Sequence, residues 1–346
     1  MEMKPDEPDT TGLKELNERA IELADRGELE AAEGVFRRAA DAGSLASLFN
    51  LGRLLGLTGR PGEAFEVFRE GARRDDPIAL LQYGNLLHDE RNDAPAAIDA
   101  YRRAIALGSI DAYVSMGAVL EAEGDVAQAR VAYETAIGLG DRAANWQLAE
   151  LLVDLGDEPA AEPAYREAIA GGEERAHFGL AFLLKGHGRV VAAESHFRDA
   201  AEGGVEGAYA ALGLMLAEQD RLDEAEAVYR EGSVTGEGAA ALNLGNLLSA
   251  DGRVSEAEGA YRSACALGEF DAYNNLALMF LELEHDEDAE EAFKRGAAEG
   301  DPLAARNYGE ALLGWGRSDE AEVAFEVAIQ GGDELAAELL ADLRNR

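Results

Sequence analysis

Three of the five histidines lie close together in the sequence, and they form its densest grouping of side chains able to do chemistry. Histidine is the commonest metal ligand and a frequent general acid or base, so His177, His187 and His196 are the first candidates for a metal or catalytic site. In the repeat described below, His177 falls on the packing face of one helix, His187 in a turn and His196 before a core aromatic residue. Since these positions point in different directions, we expect no metal and no catalytic site there.

Two further segments resemble chemical sites in composition alone. The run from His285 to Asp288 has metal-type ligands without the spacing of a calcium loop, and we interpret it as a solvated helix start matched to the helix dipole. Cys265 follows a column of small residues, which favours a small core residue over a thiol activated by Arg262. The sequence contains no nucleotide-binding loop, zinc-protease motif or nucleophile elbow. We therefore predict no catalytic residue, no cofactor and no enzyme.

The charge balance restricts the partners. The chain has 31 Lys+Arg against 69 Asp+Glu, a net charge of −38, which repels nucleic acid and anionic membranes. No run approaches the 18 apolar residues of a membrane span, and the acidic N-terminus lacks the apolar stretch of a signal peptide. We expect a soluble, cytoplasmic protein with no membrane insertion. Acidity with little lysine fits GC-rich coding, life in high salt or a basic ligand.

Glycine recurs at a fixed interval, and this periodicity determines the predicted architecture. From Gly108 to Gly332 one series returns at 32-residue intervals, and a second series, such as Gly124 and Gly156, lies half a period away. Asp75 occupies one slot of the first series. A strict period in this range is typical of a solenoid of supersecondary units.

Two segments of helical spacing lie between successive glycines. In the second segment an alanine column, an aromatic column four residues later and a small-residue column three residues further share one face, as in Ala257, Tyr261 and Ala264. The first segment carries a Gly/Ala column, as at Gly245. Small residues let two helices approach closely, and the aromatic ring fills the gap between them. Each repeat is therefore predicted to be helix, turn, helix, turn.

Helix ends also have local signals. Asp223, Ser255 and Ser318 lie where second helices need an N-cap, and Ser255 precedes a glutamate at capping-box spacing. Pro159 and Pro163 fall in one second helix, and we expect that helix to be shortened or bent. The alternative is that both prolines fit in a slightly shifted first turn.

These signals divide the chain into three parts. Residues 1–10 are predicted to be a disordered acidic tail, residues 11–332 to form about ten repeats, and residues 333–346 to form a capping helix.

At these columns the chain resembles a known family. Leu244-Gly245, Ala257, Tyr261 and Ala264 are similar to the small-and-aromatic signature of tetratricopeptide repeats. That family repeats every 34 residues with a helix-ending proline, whereas this chain has a shorter period and glycine there. The short link from Ala297 through Gly300 to Ala304 resembles the Sel-one-like relatives.

The resemblance implies a fold and a function. The implied fold is all-α, a right-handed α/α superhelical solenoid of about ten helix-turn-helix repeats plus a C-terminal capping helix. The implied function is protein–protein scaffolding, with a peptide or helix bound in a concave groove lined by the first helices. The two groove columns hold few acids, so we do not expect a simple acidic trough for a polybasic ligand.

Groove residues change character along the chain. The earlier repeats offer aromatic residues, for which the alternative is ordinary core packing between repeats. Later repeats offer asparagines, whose amides could clamp a peptide unit but could equally fix the stacking of helices. Asn243, Asn275 and Asn307 form a ladder one repeat apart. The predicted peptide-binding residues are Phe49, Trp146, Phe178, Phe182, Asn243, Asn246, Asn274, Asn275, Arg306 and Asn307.

Two hypotheses for the function follow. The first is a non-enzymatic adaptor that binds a protein or peptide partner, with a monomer favoured as the oligomeric state. The alternative is a regulatory or sensing solenoid that acts by self-association or by binding a basic partner on its acidic outer surface. An enzyme is a distant third hypothesis, because only the three histidines support it.

Overall fold

The computed structural model describes residues 10–345, and every regular element in that range is an α-helix. The all-α prediction is confirmed. The chain divides into two compact units, Met1–Glu173 and Glu174–Arg346, called unit 1 and unit 2 here. The predicted acidic tail, residues 1–10, lies outside the described residues except for Thr10, where the first helix begins.

Unit 1 consists of five helix pairs in its described part. Within each pair the first helix packs on the second, and each second helix packs on the next first helix. The helices are α1 (Thr10–Asp25), α2 (Leu29–Asp41), α3 (Leu45–Leu57), α4 (Pro61–Arg73), α5 (Pro77–Asp89), α6 (Ala94–Ala106), α7 (Asp111–Ala122), α8 (Val126–Gly138), α9 (Asn145–Asp154) and α10 (Glu158–Ala170).

Unit 2 repeats this arrangement and adds one helix. The helices are α11 (Arg175–Gly186), α12 (Val190–Glu202), α13 (Ala208–Glu218), α14 (Leu222–Thr235), α15 (Gly238–Ala250), α16 (Val254–Ala266), α17 (Asp271–Glu282), α18 (Asp286–Ala298), α19 (Pro302–Gly314), α20 (Ser318–Gln330) and α21 (Glu334–Arg344). The last helix packs on α20 and buries Ala336 and Leu340.

The aromatic column forms the centre of each helix pair. A Cβ atom added at Gly213 would lie 2.3 Å from the ring of Tyr229, and one at Gly84 would lie 2.5 Å from the ring of Tyr101. The Gly/Ala column is therefore the space that the ring occupies. The largest fully buried aromatic side chains all belong to this column: Tyr101, Tyr133, Tyr165, Phe197, Phe293 and Phe325.

The turn between the two helices of a pair has one residue with a left-handed backbone conformation. At Gly124 φ is 79°, and the next amide, of Asp125, donates to the carbonyl of Leu120 at 2.8 Å, which closes the end of α7. Asp220 and Glu284 occupy corresponding slots with φ of 61° and 58°. Because these residues lack the freedom of glycine, the packing of the two helices imposes the turn.

The predicted N-caps of three second helices were wrong. Helices α14, α16 and α20 begin at Leu222, Val254 and Ser318, and their N-cap residues are Arg221, Arg253 and Arg317. None of the three has a side-chain capping hydrogen bond. The short polar side chains of Asp223, Ser255 and Ser318 follow the arginines by one or two residues and look like caps in the sequence. The arginines themselves have a different role.

Each of these arginines links two successive repeats. Arg253 donates from Nε to Glu256 in its own helix at 2.9 Å and from Nη1 to Glu226 of the preceding second helix at 2.7 Å. We call this arrangement an arginine clamp. The bonds hold the pKa of Glu256 down to about 2. The other described clamps join Arg60 to Glu33 and Glu63, Arg221 to Glu194 and Glu224, and Arg317 to Glu290 and Glu320.

The two prolines of the fifth repeat do not shorten its second helix. Helix α10 has 13 residues, the same length as α8 and α12, with Pro159 in its first turn and Pro163 inside it. The expected shortening was therefore wrong. The burial of Ala161, Tyr165 and Ala168 is kept, so core packing on one face overrides the missing backbone bond.

Candidate functional site

The first helices of unit 2 present a row of exposed side chains at one register of the repeat. The row occupies the position directly after the Gly/Ala column and consists of Phe182, Leu214, Asn246 and Leu278, on α11, α13, α15 and α17, while the same position on α19 holds Glu310. The exposed fractions are 49% for Phe182, 50% for Leu214 and 39% for Leu278. We call these four residues the exposed row. Since each follows the last by one repeat, they take the same place on successive helix pairs.

Phe182 rests on two other aromatic rings. Its centroid lies 4.9 Å from those of Phe178 and Phe197, with interplanar angles of 86° and 89°. Phe178 and Phe197 also contact each other at 5.8 Å. Edge-to-face contacts of this kind are favourable beyond the area that they bury. The exposed ring is therefore held rigidly, and its free face is suited to an apolar side chain.

The asparagines of the later repeats form one chain of hydrogen bonds. Asn307 donates to Asn274 at 2.8 Å, Asn274 to Asn275 at 3.4 Å, and Asn275 to Asn246 at 3.0 Å. The hydroxyl of Tyr261 donates to the same Oδ1 of Asn246 at 2.9 Å. We call Asn246, Asn274, Asn275 and Asn307 the asparagine network. It joins α15, α17 and α19.

The four asparagines of the network differ in their exposure to solvent. Asn274 is only 3% exposed, whereas Asn246 is exposed and Asn275 and Asn307 are half-buried. Asn243 is half-buried on α15 and is not among the four residues of the network. The sequence suggested a ladder of Asn243, Asn275 and Asn307, but the bonds instead pair residues offset along the helix.

The remaining predicted groove residues have separate surroundings. In unit 1, Phe49 is half-buried 6.1 Å from the ring of Phe68, and the guanidinium of Arg53 lies 5.8 Å from its centroid. Trp146 is half-buried in α9. In unit 2, Arg306 is mostly buried and forms an ion pair with Asp333 at 3.0 Å. That ion pair links α19 to the turn before α21.

The equivalent row of unit 1 mixes polar and apolar residues, and two of its polar members are bonded to the core. Asn85 accepts a hydrogen bond from the hydroxyl of Tyr101 at 2.9 Å, and Glu150 accepts one from Tyr165 at 2.6 Å. Burial and the Glu150 carboxylate raise the pKa of Tyr165, which keeps its hydroxyl protonated as a donor. The full row in unit 1 is Ile21, Arg53, Asn85, Ala118 and Glu150, of which Ile21 is 39% exposed.

The structure corrects the prediction that the clustered histidines point apart. The Nδ1 atoms of His177 and His196 are 3.0 Å apart, and Asp199 lies beside both. The helix pair brings the beginning of α11 next to the second half of α12. The two imidazole rings therefore lie in contact, with an interplanar angle of 49°. His187 lies at the C-cap of α11, away from that end of the helix.

Cys265 behaves as a small core residue, as predicted. It is a free thiol in α16 with 8% exposure. Burial raises its pKa to about 11, so the thiolate that reacts with electrophiles is scarce at neutral pH.

Paired helices stacked through a small-residue column and an aromatic column define the class of the protein, a helical-repeat protein. The family model described as tetratricopeptide repeat matches residues 17–77 and 114–176, and a second tetratricopeptide-repeat model matches residues 207–231. These residues therefore contain tetratricopeptide-type repeats. Proteins built from such repeats serve in general as interaction scaffolds that bind other proteins rather than as enzymes.

Several solved structures are similar to the chain in fold. A protective antigen of uropathogenic Escherichia coli with an SLR fold is 23% identical, with 94% of this chain and 82% of that chain covered and a TM-score of 0.49. A Sel1 repeat protein from Oxalobacter formigenes is 23% identical over 58% and 90% of the two chains, with a TM-score of 0.48. Yeast Tom70 is 12% identical over 96% and 94%, also with a TM-score of 0.48.

No curated protein matches the sequence. None of the helices within residues 10–345 combines the length and the apolar composition that crossing a bilayer requires.

Proposed function

We propose that this protein is a non-enzymatic scaffold that binds an extended peptide or a partner helix on the first helices of unit 2. The exposed row carries this proposal. Three large apolar side chains at one register of four successive repeats remain in contact with water, and a partner that covers them gains the free energy of apolar burial.

The spacing of the row sets the expected pattern of the ligand. Helices that pack on each other are about 8–10 Å apart, and an extended peptide rises about 3.3 Å per residue. One repeat therefore corresponds to about three residues of an extended peptide. We expect a ligand with apolar side chains about three and about nine positions after the first, placed to meet Phe182, Leu214 and Leu278, because Asn246 lies between the two leucines.

Phe182 is the proposed anchor. Its ring is already held by Phe178 and Phe197, so binding orders little that was mobile before. Aromatic anchors in fixed pockets contribute most to interfaces of this kind.

The asparagines are proposed to hold the ligand backbone. The Oδ1 of Asn246 accepts from Tyr261 and Asn275, which leaves its amide nitrogen as the group facing a ligand carbonyl. Asn243, Asn275 and Asn307 are half-buried and take the same role in the proposal, with about 0.5–1.5 kcal/mol for each bond. Asn274 is buried and positions its neighbours. Phe49, Trp146 and Arg306 stay predictions from the sequence.

The test is affinity purification with mass spectrometry from the native host. The Phe182→Glu/Leu214→Glu variant places two charges in the exposed row. The matched control is Val191→Glu/Val234→Glu, which adds the same charges to α12 and α14 of the same repeats, where the side chains are 86% and 87% exposed. We expect one dominant partner with the wild type and the control, and its loss with the row variant.

Retention of that partner by a row variant with an unchanged circular dichroism spectrum would contradict the proposal. A separate variant, Asn243→Ala/Asn275→Ala/Asn307→Ala, tests the role of the asparagines. Since two of these residues also belong to the network, the matched control is Asn274→Ala, which breaks the network from a buried position. Loss of the partner only in the triple variant assigns the asparagines to the ligand.

Light scattering over a concentration series distinguishes binding of a second copy of this chain from binding of a different partner. A molar mass that rises with concentration in the wild type and not in Phe182→Glu/Leu214→Glu would make the occupant of the row a second copy of this chain. A constant molar mass leaves a different protein or peptide as the occupant.

A further inference from the structure

We propose that His177, His196 and Asp199 form a binding site for a divalent transition-metal ion such as Zn²⁺. His177 is the third residue of α11, and His196 and Asp199 lie three residues apart on one face of α12. Imidazole and carboxylate are ligands that zinc commonly takes in proteins. The site lies between two helices, where an ion would join them.

The distances fit an ion. The Nδ1 atoms of His177 and His196 are 3.0 Å apart, and the Oδ2 atom of Asp199 is 3.4 Å from the first and 4.0 Å from the second. The point equidistant from three atoms with these separations lies about 2 Å from each, which matches the 2.0–2.2 Å of zinc bonds to imidazole nitrogen and carboxylate oxygen.

The register of the repeat shows that His196 replaces a core residue. In the nine other repeats the position of His196 holds valine or alanine. The equivalent residues are Val35, Val67, Ala100, Ala132, Ala164, Val228, Ala260, Ala292 and Ala324, and all except Val67 are buried.

The environment suits a cation with an open coordination position. Both histidines are half-buried, whereas Asp199 is exposed and leaves a path from solvent. Its carboxylate offsets one charge of a divalent ion that two neutral imidazoles would leave uncompensated. Three protein ligands leave the ion an open position for water.

The ion would stabilise the helix pair that carries the exposed phenylalanine. His177 precedes Phe178 and His196 precedes Phe197, whose rings pack at 5.8 Å. Metal bonds between α11 and α12 therefore reinforce the same contact as this ring pair. The metal site itself does not depend on the proposed partner.

Isothermal titration calorimetry with ZnCl₂ tests the site on the full chain, stripped of metal and held in excess Mg²⁺ to occupy the acidic surface. We expect one equivalent of Zn²⁺ to bind. The His196→Ala variant installs the residue that most other repeats have, so it keeps the fold. We expect it to weaken binding by at least about 100-fold, the upper end of the loss for groups that only support metal ligands.

Three comparisons complete the test. Asp199→Asn should weaken Zn²⁺ binding, and the control His187→Ala should leave it unchanged. Zn²⁺ should raise the Tm of the wild type but not that of His196→Ala, because only a bound ion stabilises the native state. Absence of stoichiometric binding, or equal binding by wild type and a folded His196→Ala variant, would overturn the proposal.

Discussion

Units 1 and 2 use the same helix pair but differ in the residue that follows the Gly/Ala column. In unit 1 that residue is bonded to the core where Asn85 and Glu150 accept tyrosine hydroxyls. In unit 2, Phe182 stands beside Phe197, which has no hydroxyl, and its own ring is exposed. In these three repeats the hydroxyl of the core aromatic, or its absence, matches the residue at the surface position, whereas Leu214 is exposed in the repeat of Tyr229.

The residue after the Gly/Ala column therefore gives the same helix pair either a polar or an apolar surface. A core tyrosine can bring a polar group to the surface layer, and at Asn85 and Glu150 an amide or carboxylate satisfies it. A core phenylalanine brings only an apolar edge, against which a second ring packs. Asn246 beside Tyr261 shows that unit 2 also uses the polar solution once, in the middle of its exposed row.

The largest expected effect concerns what the two units share. Gly213→Ala and Gly84→Ala each place a Cβ within 2.5 Å of a buried ring, and we expect each to lower the free energy of unfolding by about 1–3 kcal/mol. Urea unfolding measures the loss, and hydrogen exchange locates it in the unit that carries the change. Gly259→Ala and Gly34→Ala are matched controls with nothing within 4 Å, and should be neutral or stabilising. Equal effects in both sets would show that the small-residue column is not required for the ring.

A second prediction converts one kind of surface into the other. Phe197→Tyr puts a hydroxyl beside Phe182, whose ring offers it no hydrogen-bond acceptor. We expect this substitution to lower the free energy of unfolding by about 1–3 kcal/mol. Adding Phe182→Asn copies the Asn85 pairing of unit 1 and should recover about 1 kcal/mol of that loss. The measurement is a double-mutant cycle by urea unfolding. A purely additive double variant would break the proposed coupling between core aromatic and surface residue.

A third, smaller effect concerns the turns. Unit 2 has Glu284 in a left-handed slot, with φ of 58°, where unit 1 has Gly124. A left-handed backbone costs a side-chain-bearing residue about 1–2 kcal/mol, part of which the greater freedom of unfolded glycine offsets. We expect Glu284→Gly to raise the Tm slightly and Gly124→Ala to lower it, as measured by differential scanning calorimetry. A loss of stability in Glu284→Gly would mean that its side chain has a compensating contact.

The smallest expected effect is the pH dependence of an arginine clamp. Arg253 lowers the pKa of Glu226, and that of Glu256 from its ordinary 4.5 to about 2. A lowered carboxyl pKa stabilises the fold fully above the unfolded value and loses that contribution as the pH falls through the folded value. Arg253→Ala should therefore lower the Tm at neutral pH, and its difference from the wild type should shrink between pH 4.5 and about 2.

The control for the clamp is Arg262→Ala, which removes a single contact, with Glu258 four residues earlier. We expect a smaller change in Tm from it, because exposed pairs within one helix contribute little. A difference between Arg253→Ala and wild type that stays constant down to pH 2 would show that the clamp acts through packing instead of charge.

The sequence predicted the repeat itself in detail. The helix pairs, the glycine turns, the small-residue column beside the aromatic column and the burial of Cys265 all follow from spacing along one chain segment. The wrong predictions concern contacts between segments. Asp223 and Ser255 resemble N-caps locally, but the neighbouring arginines reach 27 residues back to the previous repeat. Pro163 suggested a shortened helix, but packing on its opposite face maintains the helix.

Periodicity and glycine spacing alone therefore determined the helix pairs, their turns and their buried face, because these are properties of backbone geometry within one repeat. Only the tertiary structure decided which side chains meet. His177 and His196 are 19 residues apart in sequence yet bonded at 3.0 Å, and Asn307 reaches Asn274 across 33 residues. Such distances depend on how far one helix slides and rotates against the next. That register results from the packing of all the rings and small residues together, so no single segment encodes it.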